Sequence, residues 1–173
     1  MRFISLLAGV LLTTLAGAAS DAAAAPPAAA AKADFVADAA IQKAAEASAA
    51  DAVVMAKRQF NIVLDGSDNS IDDVERALAA VHSVYATASP KPDDAQLMPL
   101  ARAFGGYVGE VYRKNHGATW GTVTLNGSDY PGLRTAAGVN VWPVGRVMNR
   151  ITDGPENDVA DFYRKLVAGP PKD

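Results

Sequence analysis

The feature that most limits the fold is a change of period near Gly117. Before it, apolar residues recur close to every fourth position: Val74, Leu78, Val81 and Tyr85 in one segment, Leu97, Leu100, Phe104, Val108 and Val111 in the next. After it, "ATWGTVTL" and "LRTAAGVNVW" have the look of strands, and the chain beyond Pro143 returns to helical spacing. Helices, then a strand pair, then helices is an α+β order, without the β-α-β alternation of a nucleotide-binding sheet. The expected fold is one α+β domain, several helices packed on a small antiparallel β-hairpin or sheet.

Residues 1–18 read as an export signal, with Arg2 ahead of "FISLLAGVLLTTLAGA" and the small-x-small triplet Ala16-Gly17-Ala18 for cleavage. A cut as late as 24 also fits. An Ala/Pro linker occupies 19–33, and the mature product is expected in the periplasm or outside the cell, with no membrane span. The absence of Cys excludes both a lipid-anchored form and disulfide stapling, so packing alone must hold the domain. The formal charge is −3, and one unit more negative once Arg2 is removed. Such mild acidity gives no electrostatic reason to expect nucleic acid or anionic lipid as partner.

The Ala-rich segment 34–59 reads as a helix by propensity, anchored by Val53, Val54 and Met55 and more loosely held in its first half. A core domain over 60–167 follows, and 168–173 reads as a tail. Within the core, Ser70 is expected to cap a helix with Asp73 three residues on. The longest helix is expected over about 94–115, "NGSDYPG" is expected to turn the hairpin, and Pro143 to open a short helix that Gly154 breaks. A last helix is expected over about 156–167, burying Val159, Phe162, Tyr163 and Leu166.

The acidic stretch "LDGSDNSIDDVE" invites a calcium reading, because Asp65, Ser67 and Asn69 suit the first three ligand positions of a helix-loop-helix site. The template then requires Gly where Ser70 stands and a bidentate Glu where Arg76 stands. A cation at the strongest ligand position disqualifies it, and the acids are assigned instead to the favourable first turn of a helix. No metal and no cofactor is assigned.

Three glycines in "FGGYVGE" lie inside the long helix, where each costs about 1 kcal/mol relative to Ala. Ala101, Gly105 and Gly109 form a small-residue ridge that favours close approach of another helix or the hairpin, and Gly106 falls outside it. Glu110 stands beside the apolar face, with Arg113 and Lys114 one turn on, and reads first as a surface ion pair. Buried, it would need a cation, for which Arg146 or Arg150 is available, and that pair facing Trp120 is the best binding-site candidate. His82 reads as a packing residue, and His116 as a cation at a helix C-terminus.

Nucleophile-elbow, metalloprotease and phosphate-loop motifs are absent, and no catalytic residue is assigned. Three stretches together, "LDGSDNSIDDVE", "GGYVGEVYRKNHGATWG" and "WPVGRVMNRITDGPENDVADFY", resemble a widespread bacterial family of uncharacterised domains. In that family a Gly-Tyr-x-Gly-Glu helix precedes a Trp-bearing strand and a Pro-x-x-x-Val helix ending in x-Gly-Pro. The resemblance spans about 60–166 and implies a small α+β domain with no established activity. If its motifs mark a surface, the positions implied are Glu110, Trp120, Pro143 and Arg146.

The functional expectation is a non-enzymatic, exported binding domain of inhibitor or immunity type, acting on a protein or envelope component. Its binding positions are Glu110, Arg113, Trp120, Arg146 and Arg150. The alternative is a carboxylate-dependent hydrolase of cell-wall material, which needs two carboxylates converging in a pocket, at least one with a perturbed pKa.

Overall fold

In the computed structural model of the protein, which describes residues 34–169, the first element is a strand and not a helix. The expected export signal, the linker and the end of the tail lie outside the described residues. Asp34–Ala37 (β1) pairs antiparallel with the Trp-bearing strand, Phe35 opposite Val123 and Ala37 opposite Gly121. Asp38 then caps the Ala-rich helix: its carboxylate accepts from Ala40 N at 2.7 Å and Ile41 N at 3.3 Å. The helix, Ala39–Phe60 (α1), is therefore shorter at its start than propensity suggests. Bonds to a neighbouring strand and a well-placed cap outweigh the helix preference of four residues.

Residue size explains how α1 packs. Ala45, Ala52 and Ala56 are buried, while Val53 and Val54, the expected anchors, are 39% and 49% exposed. The alanine face lets α1 approach the long helix closely, and so α1 belongs to the core and not to a separate arm. Ser70–Thr87 (α2) follows an irregular stretch. Ser70 is not its cap; it is buried inside the helix start, where its hydroxyl meets Ser67 O at 2.6 Å and the Tyr107 hydroxyl at 2.7 Å.

Asp94–Tyr112 (α3) is the central helix. It opens with a capping box, Asp93 accepting from Gln96 N while Gln96 Oε1 accepts from Asp93 N. It ends in a wider π turn, Arg113–Gly117. Ala118–Leu125 (β2) then pairs with Ser128–Thr135 (β3), and Asn140–Val141 (β4) completes a four-stranded antiparallel sheet in the order β1-β2-β3-β4. The hairpin turn is only Asn126-Gly127; the expected turn residues Ser128 to Gly132 instead extend β3.

Pro143–Thr152 (α4) and Val159–Ala168 (α5) follow, on either side of a short 3-10 turn, Pro155–Asn157. Asp158 caps α5. The architecture is α+β, and all described residues fall in one compact unit. Phe104, Ile71, Leu78, Leu133 and Ile151 are fully buried at its centre, each contributing about 1.5–3 kcal/mol of hydrophobic stabilisation. No described helix is long and apolar enough to cross a membrane.

The glycines of α3 have separate explanations. A Cβ on Gly105 would lie 2.5 Å from the backbone of Val144 in α4, and one on Gly109 would strike the Trp120 ring. Gly106, off the expected ridge, faces α1, where a Cβ would lie 2.8 Å from Ser48 Cβ. Three neighbours thus approach one helix on two sides, and only glycine admits them.

Candidate functional site

Glu110 is buried, 2% exposed, and sits where the glycines draw α1, α3 and β2 together. Its partner is local. Arg113 Nε donates to Glu110 Oε1 at 2.8 Å and Arg113 Nη2 to Oε2 at 2.9 Å, a two-pronged guanidinium–carboxylate pair. The Trp120 indole N–H donates to Oε1 at 2.8 Å, and Lys114 Nζ stands 3.7 Å from Oε2. Arg113 also reaches Glu46 Oε1 on α1 at 3.3 Å. Burial acts to raise the pKa of the Glu110 carboxyl, but the bonds from Arg113 and Trp120 and the nearby positive charges outweigh it and hold it below the usual carboxylate range. Glu110 is an ionised cross-brace between helix and sheet.

The structure thus brings Glu110, Arg113 and Trp120 together and leaves Arg146 and Arg150 apart from them. The expected surface pair is a buried one, because the glycines let Trp120 and α1 cover it. Arg150 is itself buried and bonds Glu75 Oε1 at 2.6 Å, while Glu75 Oε2 accepts from Val159 N at 2.9 Å, so that pair pins α2, α4 and α5. Arg146 lies with its guanidinium over the Phe162 ring and donates to Asn157 at 3.2 Å. Both arginines serve the α4–α5 side of the fold.

A second polar node was not foreseen. Asp68 Oδ1 accepts from Asn115 at 2.8 Å and from the Tyr163 hydroxyl at 2.6 Å, and Oδ2 accepts from His116 Nε2 at 2.8 Å. The Tyr112, His116 and Tyr163 rings pack against one another beside it. Burial acts to raise the Asp68 pKa, and the three donors more than reverse this. Burial, then the bond to the Asp68 carboxylate, pushes the Tyr163 phenol well up. His116 therefore clamps the acidic loop and does not merely offset a helix dipole. Nothing in local spacing marks this node, since its members come from three separate segments. His82 packs as expected, its Nδ1 2.8 Å from Ile151 O.

The acidic loop is fixed from inside. Gly66 N donates to the Tyr107 hydroxyl at 2.8 Å, and Asp65 accepts from Ser67 N at 2.9 Å and Ser67 Oγ at 2.6 Å. Among the described residues no group of three or more His, Asp or Glu side chains is placed to hold a metal ion. On one side of the loop is a cleft of about 320 Å³ between α1 and α3, whose lining includes Ala49, Ala50, Val53, Val111, Glu46, Asp65, Glu110 and Lys114. On the other side a cleft of about 260 Å³ runs between the start of α2 and α5.

A crystal structure of a protein from Bacteroides thetaiotaomicron VPI-5482, at 1.50 Å resolution, is similar, with a TM-score of 0.56 at 14% identity over 78% of this chain. The likeness shows the fold. The match covers 47% of that protein, so the chain spans about half its length. No family model and no curated protein matches the sequence, which is consistent with the resemblance to a family without an assigned activity.

Proposed function

We propose that the chain is a non-enzymatic binding domain, exported, acting on a protein or envelope component in the manner of an inhibitor or immunity domain. The observation that carries this reading is the state of the one deeply buried carboxylate at the candidate site. Glu110 is held by a guanidinium and an indole N–H that favour its ionised form, which suits it poorly to donate a proton. A wall hydrolase of the two-carboxylate kind needs a general acid whose pKa is raised. Every resolved carboxyl shift among the described residues, at Asp65, Asp68, Glu110 and Asp161, runs downward. That pattern supports recognition over hydrolysis.

The test is a pull-down from envelope extract with the full chain, run beside a clearing assay on purified cell-wall material. A specifically retained partner without clearing is the expected result. Clearing of wall material at a rate above buffer would overturn the reading. Glu110→Ala is a poor control, because the brace it removes is structural; substitutions at exposed positions are needed.

A further inference from the structure

We infer that the cleft between α1 and α3 receives a cationic side chain, Arg or Lys, presented by a protein partner. This rests on the binding reading above and names its ligand class. The apolar part of its lining runs from the buried Leu64, Tyr107 and Val111 to Ala49, Ala50 and Val53 on α1, and Val53 is 39% exposed with nothing covering it among the described residues. Glu46 and Asp65, both exposed, belong to the same lining. An apolar trough with exposed carboxylates in its lining is complementary to Arg and Lys, which lay their methylene stems along apolar surface and keep the charged head at its edge.

The charges at the cleft are unbalanced. Its lining holds the carboxylates of Glu46, Asp65 and Glu110 and the ammonium of Lys114; Glu110 is sealed and paired with Arg113, so the exposed Glu46 and Asp65 set the sign of the charge a ligand meets. Arg113 lies behind, already joined to Glu110 and, at 3.3 Å, to Glu46. Asp65 has no cationic partner among the described residues. Its carboxylate is oriented by Ser67 alone, and it projects from a loop that Tyr107 and Asn115 hold in place. A cation from outside would pair Asp65 without ordering that loop first, which removes part of the entropic cost of binding. An anionic ligand would instead meet the exposed carboxylates of Glu46 and Asp65.

The test uses the full chain and two tripeptides, Ac-Ala-Arg-Val-NH2 and its citrulline counterpart, which keeps the shape and loses the charge. Backbone amide shifts are followed by NMR. The arginine peptide should move the amides of Ala49, Ala50, Val53 and Gly66 saturably, and the citrulline peptide should bind about threefold or more weakly. Glu46→Gln and Asp65→Asn should each weaken binding about two- to fivefold, since both keep their local acceptors and lose only charge. Lys114→Ala should strengthen it, an effect that a merely structural role would not produce. Equal shifts with both peptides, or shifts confined to another face, would overturn the inference. A partner captured equally by wild type and by the Glu46→Gln/Asp65→Asn double variant would overturn the cleft and leave the binding domain standing. No captured partner together with wall clearing would overturn both.

Discussion

Glu110 and Asp68 are two carboxylates solved by opposite means. Glu110 is nearly sealed from water and takes its partners from nearby in sequence: Arg113 three residues on and Trp120 ten residues on. Asp68 is 43% exposed at its side chain, and its partners come from far away: Asn115 at a separation of 47, His116 at 48 and Tyr163 at 95. In both, hydrogen-bond donors favour the ionised form. The first holds a helix to a sheet; the second ties a loop to two helices. Local pairing suffices for a buried charge when glycine lets the cover come close, whereas a loop outside the helices and the sheet is pinned from several elements at once, in addition to its own turn bonds.

The sharpest way to break the comparison is Glu110→Ala. It leaves the buried Trp120 indole N–H without its acceptor and the part-exposed Arg113 with Glu46 alone, and an unfolding free energy lower by about 2–4 kcal/mol is expected in urea titrations. A loss below 1 kcal/mol would mean that the brace is not structural. Gly109→Ala should follow at about 1–3 kcal/mol, because the new methyl meets the Trp120 ring and must displace it from Glu110. Near-UV circular dichroism should report the tryptophan shift. Tyr163→Phe removes one of three donors from the part-exposed node, and about 1–2 kcal/mol is expected, with the fold intact.

That ordering also marks what the sequence could reveal. The helix around Glu110, the strand carrying Trp120 and the helix opened by Pro143 all announce themselves through local period, caps and proline, and the glycines signalled close approach. The burial of Glu110 was not legible, because it depends on Trp120 and α1 arriving from elsewhere. Asp34–Ala37 was misread for a related reason: its strand character resides in the partner Gly121–Thr124, while its own residues continue an alanine-rich run. Asp68, His116 and Tyr163 meet only after the chain has folded, so no spacing rule could join them. Arg146 and Arg150 were placed correctly on a helix and assigned the wrong carboxylate; Glu75, the true partner of Arg150, lies 75 residues away on a third helix.

A subtler contrast appears on acidification. Both carboxyls have pKa values lowered on folding, so each contributes stability that is fully present above the ordinary carboxylate range, about 4. That contribution is lost as pH falls through the folded values. Asp68→Asn should therefore narrow its stability gap to wild type as pH drops below about 4, the range where the wild-type carboxyl itself becomes protonated. A gap that widened on acidification would contradict the downward shift.

The most direct single measurement is an NMR titration of the Glu110 side-chain carboxyl in the folded protein. A midpoint below the ordinary glutamate range, with the resonance still that of a carboxylate down to the onset of acid unfolding, is the expected result. It would fix Glu110 as a structural ion and leave recognition to the clefts beside it. A midpoint above that range would make Glu110 a proton donor in a closed site, contradict the cross-brace, and return the chain to the hydrolases.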